Sequence, residues 1–172
     1  MMFSWKTVLM TAVLFLLCLG PAAAYLETGS KAPDFKAKTL TGEKVRLSDY
    51  KGKIIILKLG TTWCPDCSGM AADLLAQGKF LKENDVVVVD VFIQETEQTV
   101  AKYLKGKDFV TTYVPVLDNG QAHQAYQVYL IPRVVLIDQN FKIVHDGLRM
   151  QIESLREKIS ALNSTQGMAE VK

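Results

Sequence analysis

Cysteine and histidine are scarce in this chain of 172 residues, which carries three cysteines and two histidines. One cysteine, Cys18, lies inside an apolar leader, so only Cys64 and Cys67 remain for the rest of the molecule. Two cysteines cannot staple a scaffold together, and a structural zinc site normally asks for four ligands. A permanent bond between Cys64 and Cys67 would close too short a loop to stabilise much. Charge of one sign is also missing. Twenty basic residues face 18 acidic ones, so no basic field marks the chain for nucleic acid. Beyond the leader there is no apolar run long enough to cross a bilayer, no internal repeat and no low-complexity linker. The 148 residues that follow the leader fit one domain with a sizeable core.

The leader, residues 1–24, reads as a secretory signal. Lys6 supplies positive charge, Thr7 to Gly20 is apolar but short for a membrane span, and Pro21 breaks it. Ala22-Ala23-Ala24 offers the small residues of a cleavage site, so the mature chain is expected to begin at Tyr25. An uncleaved anchor is the competing reading. Lipidation at Cys18 is disfavoured by Leu17, which stands where a small residue is expected.

What is present in quantity is order around the two cysteines. Ile54-Ile55-Ile56-Leu57-Lys58-Leu59 is a short β-branched run that reads as a buried strand. Trp63-Cys64-Pro65-Asp66-Cys67 follows, and then a helical pattern. A CxxC at a strand-to-helix junction is a redox arrangement. Cys64 falls at the helix start, where unpaired N–H groups and the dipole favour a thiolate, the form that attacks disulfides. Pro65 suits the first turn because its missing N–H has no intrahelical partner. Cys67, one turn along, can reach back to Cys64. We therefore expect Cys64 as nucleophile and Cys67 as resolving thiol. Asp66 repels a nearby thiolate, which favours a reducing couple over a strongly oxidising one.

The remaining chain alternates strand and helix. Ala32 to Leu40 and Glu43 to Leu47 form a hairpin across Thr41-Gly42, and Ser48-Asp49-Tyr50 a short helical turn. Met70, Ala71, Leu74, Leu75 and Leu81 make one helix face running to Lys82. Val86 to Ile93 reads as a strand buried on both faces, interrupted by Asp90. A helix over Glu95 to Leu104, a strand over Tyr113 to Leu117 and a short helix over Gln121 to Tyr126 come next. Arg133 to Ile137 and Phe141 to His145 form a hairpin, and Gln151 to Leu162 a final amphipathic helix. Residues 163–172 lack periodicity and are expected to fray as a flexible tail, leaving 25–162 as the domain. Such alternation gives an α/β fold with a mixed sheet covered on both faces.

With Ile131-Pro132 ahead of the last hairpin, this order resembles the thioredoxin superfamily. More narrowly it is similar to the TlpA/ResA-type, redoxin-like thiol–disulfide oxidoreductases of bacterial envelopes. The supports are Ala32-Pro33-Asp34-Phe35, Gly52-Lys53 before the central strand, the inserted strand and helix ahead of Tyr113-Val114-Pro115-Val116-Leu117-Asp118, and Tyr126-Gln127-Val128 before Pro132. The resemblance spans Ser30 to Leu162. It implies a thioredoxin-like fold with an N-terminal β-hairpin and an inserted βα unit. It also implies a cis Pro132 that frees the backbone of Ile131 to pair with substrate, and a Trp63 packed beside the sulfurs, a position that also suits a core aromatic. The redox-active Cys64–Cys67 pair then serves without any cofactor.

Three positions depart from the pattern. Lys58 stands behind the second cysteine where relatives place an acid or amide. It is expected to stabilise a thiolate, to pair with Asp90, or to pack its stem inside while its head finds water. Met70 occupies the place of a glutamate found soon after the second cysteine, and Ile131 is bulkier than usual. Arg133 reads as a solvated charge, and His123 and His145 are poor candidates for catalysis. The function implied is an exported disulfide reductase of the bacterial periplasm or the outer face of the cytoplasmic membrane. Its clients would include apocytochrome c or a metallochaperone, in cytochrome c maturation or a kindred process, with reloading by a membrane electron donor. A copper-binding metallochaperone using the cysteines with His123 or His145 is the alternative. A peroxidase, suggested by Thr61 three residues before Cys64, fits less well because Leu57 replaces the expected proline. N-terminal sequencing of the exported protein is expected to begin at Tyr25, whereas retention of residues 1–24 would identify an anchor.

Overall fold

The computed structural model describes residues 25–169, with side chains to residue 165. The leader, Cys18 and the last three residues lie outside the described residues. Seven strands form one mixed sheet in the order β2-β1-β5-β4-β3-β6-β7. In chain order they are β1 (Lys36–Thr39), β2 (Lys44–Arg46), β3 (Ile54–Gly60), β4 (Val86–Phe92), β5 (Thr112–Leu117), β6 (Arg133–Ile137) and β7 (Ile143–Gly147). Five helices accompany them: α1 (Pro65–Ala76), α2 (Gly78–Glu83), α3 (Glu97–Leu104), α4 (Gln121–Ala125) and α5 (Ile152–Ala169). A 3-10 turn over Leu47–Tyr50 leads into β3.

β3 and β4 are buried along their whole length, as continuous apolar runs should be when both sheet faces are covered. They pair in parallel, while β6 lies antiparallel on the other side of β3. Alternate residues serve opposite cores. Ile55, Leu57, Val89 and Ile137 pack with Phe35, Leu47 and Tyr126 on one face. Ile54, Ile56, Val88 and Leu136 pack under Met70, Leu74, Leu155 and Ile159 on the other. The N-terminal hairpin joins through β1 to β5.

Two helices differ from the periodic pattern. The run after Cys67 is divided at Gln77, whose N–H is shared among the carbonyls of Asp73, Leu74 and Leu75. Gly78 then opens α2, and a Cβ there would stand 3.1 Å from Val110 Cβ, so the glycine permits a close approach that periodicity cannot register. The last helix does not end at Leu162. It continues to Ala169, so residues 163–169 are helical although they lack the apolar period. Asn163 accepts from Gln139 and donates to Asn84, while Ser164 and Thr165 hydroxyls bond the carbonyls of Ser160 and Ala161. These bonds replace the apolar stripe that the sequence lacks there.

Asp34 anchors the approach to the sheet. Its carboxylate accepts from the Ser48 N–H at 3.0 Å, the Ser48 hydroxyl at 3.0 Å and Arg46 Nη2 at 2.9 Å. Burial opposes its ionisation, but these donors and the Arg46 charge outweigh it and hold the carboxyl below its ordinary 3.8. A lowered folded-state value contributes stability that is present above the ordinary value and fades as pH falls through the lowered one. Asp34→Ala is expected to reduce unfolding stability in urea by about 1–2 kcal/mol at neutral pH, with the gap to wild type narrowing at acid pH.

Candidate active site

The site forms where β3 ends and α1 begins. Cys64 caps α1 in an extended conformation, and its Sγ accepts the Cys67 N–H at 3.2 Å. Pro65 takes the first helical position and Asp66 the first turn, both exposed. The sulfur of Cys64 therefore replaces the usual capping oxygen and meets the positive end of the helix dipole. Both cysteines are free thiols. They differ in access: Cys64 keeps 7% exposure and Cys67 none.

Cys67 points back onto the sheet. A Cβ at Gly60 would fall 2.7 Å from Cys67 Sγ and 3.8 Å from Lys58 Nζ, so only glycine at the end of β3 lets the helix sit this low. Burial, and then the Cys64 contact, push the Cys67 thiol up to about 12 against the opposing pull of the Thr61 backbone and the Lys58 charge. Lys58 pairs with Asp90 at 2.7 Å, with both side chains buried. The expectation that its head finds water is thus corrected, because β3 is covered on both faces and the head has no path out.

The Ile131–Pro132 bond is cis. Because Arg133 pairs with Leu59 across β3 and β6, Pro132 lies level with Gly60, beside the cysteine end of the strand. Ile131 lines a cleft of about 360 Å³ with Thr61, Trp63, Ile93, Gln94, Val128 and Tyr129. None of these side chains carries charge.

Trp63 is corrected. It does not join the core but is 74% exposed. Its neighbour Thr62 is pinned through its N–H and hydroxyl to the Glu95 carboxylate at 2.8 Å, and Trp63 turns outward from that anchor. Arg133 is corrected too. It is buried, bonded to Asp146 at 2.7 Å through Nη2 and stacked 4.4 Å from the centre of the Tyr25 ring. Met70 lies in the core with no carboxylate in its place.

Glu95, Gly60 and Tyr113 were not among the expected site residues. Glu95 follows Gln94, which takes a left-handed φ of 54° two residues past the end of β4 and carries the next residue toward the active-site loop. Tyr113 donates to the second oxygen of Asp90 at 2.7 Å. The available signal was one lysine and one aspartate, each alone in an apolar strand.

Neither histidine joins the cysteines. His123 Nδ1 lies 2.5 Å from Asp118 on the α4 side, and His145 sits on β7, where burial, together with the Lys158 charge, lowers its proton affinity. Among the described residues no three His, Cys, Asp or Glu side chains gather to hold a metal. Thr61, on which the peroxidase reading rests, buries a hydroxyl that has no hydrogen-bond partner among the described residues.

Comparison with known proteins agrees with this geometry. Residues 28–146 match the AhpC/TSA family. The thiol-disulfide oxidoreductase ResA of Geobacillus thermodenitrificans is 33% identical over 137 residues, covering 74% of this chain and 78% of that protein. ResA of Bacillus subtilis is 32% identical over 120 residues, covering 69% of this chain and 66% of the relative. Among solved structures, a thiol:disulfide interchange protein, DsbE, from Chlorobium tepidum superposes with a TM-score of 0.71 at 28% identity, over 80% of this chain and 98% of that one. The chain belongs to the AhpC/TSA family and stands, within it, with the ResA-type thiol–disulfide oxidoreductases.

Proposed function

We propose that this oxidoreductase acts as an exported reductase of protein disulfides, with Cys64 as the attacking thiol and Cys67 as the resolving one. The asymmetry of the two sulfurs carries the assignment. Cys64 stands at the rim on the helix N-terminus, within reach of a partner, whereas Cys67 is wholly buried and its thiol is pushed up to about 12. In the first step the Cys64 thiolate attacks a client disulfide. A bond forms between Cys64 and one client sulfur, and the other client sulfur leaves with the electron pair and takes a proton. Cys67 then loses its proton and attacks the Cys64 sulfur. The intramolecular disulfide forms and the second client sulfur departs as a thiol. Two electrons and two protons pass to the client, and an external dithiol donor must restore the pair.

Asp66 supports the reducing direction, since a carboxylate in the first turn offsets part of the thiolate stabilisation that the dipole offers. The uncharged cleft supports a macromolecular client. Trp63, Tyr129 and Leu130 are 74, 80 and 63% exposed, and large apolar side chains left uncovered beside a reactive thiol suit docking of another chain. Export rests on the leader, residues 1–24, and among the described residues no helix is long and apolar enough to cross a membrane. An exported apocytochrome c or metallochaperone as client, and a membrane-bound donor, complete the reading.

Two outcomes test it. Cys67→Ser, expressed in its native host, is expected to accumulate a covalent adduct with the client that thiols release, while Cys64→Ser accumulates none and reduces protein disulfides no faster than background. Trp63→Ala is expected to raise KM for a protein disulfide about tenfold, the scale of about 1.4 kcal/mol. It should leave reduction of a small aromatic disulfide unchanged, and equal effects on both substrates would contradict a docking role.

A further inference from the structure

The sheet face beneath α1 is apolar except for one pair of charges. Lys58 and Asp90 are register partners on β3 and β4 and meet at 2.7 Å among Ile56, Met70, Val88 and Val134. Fold stability does not account for such a pair. Both ions give up their hydration on burial, and apolar residues of similar volume generally serve as well or better. What the pair has is direction. Its ammonium end borders the gap left by Gly60, the same gap that Cys67 Sγ fills. Its carboxylate end lies one strand further away and is held there by the Tyr113 hydroxyl at 2.7 Å. Tyr113 is itself fixed by stacking on Phe109, ring centres 3.6 Å apart. The Phe92 ring, 5.4 Å from Lys58 Nζ, closes another side of the ammonium.

We propose that Lys58, oriented by Asp90 and Tyr113, is a positioning residue for client release: its fixed positive charge stabilises the Cys67 thiolate as that thiolate displaces the client from Cys64. This rests on the dithiol mechanism above. Burial opposes the charge on Lys58, but the Asp90 charge and hydrogen bond outweigh it, so the lysine holds its proton more firmly than usual. It therefore works as a fixed charge and not as a proton acceptor. The Cys67 proton leaves to solvent or to the departing client sulfur. The Cys67–Cys64 bond forms, the Cys64–client bond breaks with its electron pair going to the client, and Lys58 is unchanged. The other ionisable groups of the cluster are Cys64 at the N-cap of α1, Asp90 on β4, Tyr103 on α3 and Tyr113 on β5. The Tyr103 hydroxyl is buried without a hydrogen-bond partner among the described residues, and Lys107 Nζ sits 3.8 Å from the centre of its ring.

The test separates capture from release in the full chain, by stopped-flow with a disulfide-linked fluorescent peptide from acid to alkaline pH. Lys58→Met combined with Asp90→Leu removes both charges and keeps the face apolar. In this variant the pKa governing release is expected to rise by about one unit or more, while capture by Cys64 stays within about twofold of wild type. Thiolate is then about tenfold scarcer but about threefold more nucleophilic, so release at neutral pH slows about threefold or more. Tyr113→Phe keeps both charges and is expected to shift release in the same direction by less. A folded double variant with the wild-type release profile overturns the proposal, as does one that slows capture as much as release. Should the double variant not fold, an unchanged release pKa in Tyr113→Phe overturns it. Failure of the wild-type protein to capture the peptide at all would instead overturn the dithiol mechanism.

Discussion

The site depends on how low α1 sits on the end of β3. Cys67 Sγ occupies the place of a missing side chain at Gly60, and that contact fixes the rest. It buries the second sulfur and leaves the first at the helix cap. It also brings the second thiol into the gap that the buried ammonium of Lys58 borders. Any side chain at position 60 would crowd Cys67 and undo all three consequences together. A sulfur held at the rim and a sulfur held inside make a pair in which one thiol meets partners and the other meets only its neighbour.

Electrostatics then work in two layers. At the surface the cleft beside Cys64 is uncharged, so for the client docking proposed above it offers apolar contact. Inside, one charge pair sits in an aliphatic face, its cation toward the thiol and its anion held by a phenol. The helix N-terminus serves the outer sulfur and the lysine serves the inner one. Each half of a two-step exchange has its own source of positive potential, and neither source has to move between steps.

Much of this was legible in the sequence, for identifiable reasons. β3 and β4 are unbroken apolar runs, so their burial and central place followed directly, and proline after a cysteine at a strand end marked the helix start. The Lys58–Asp90 pair was one of the alternatives because each charge stood alone in its strand. What could not be read depends on tertiary contact. The outward turn of Trp63 comes from Glu95, far along the chain, holding Thr62. The burial of Arg133 requires Asp146 from β7 and Tyr25 from the N-terminal segment. The break at Gln77 reflects Gly78 packing against Val110. The last helix runs on past Leu162 because Asn163 finds Asn84 and Gln139, partners that no periodicity within the helix can reveal.

The inequality of the two sulfurs is tested most directly by alkylating the reduced protein with iodoacetamide at neutral pH and following each cysteine-bearing peptide by mass spectrometry. Cys64 is predicted to be labelled first and nearly completely while Cys67 stays unmodified until the protein is unfolded. Labelling of both at comparable rates, or of Cys67 ahead of Cys64, would contradict the account.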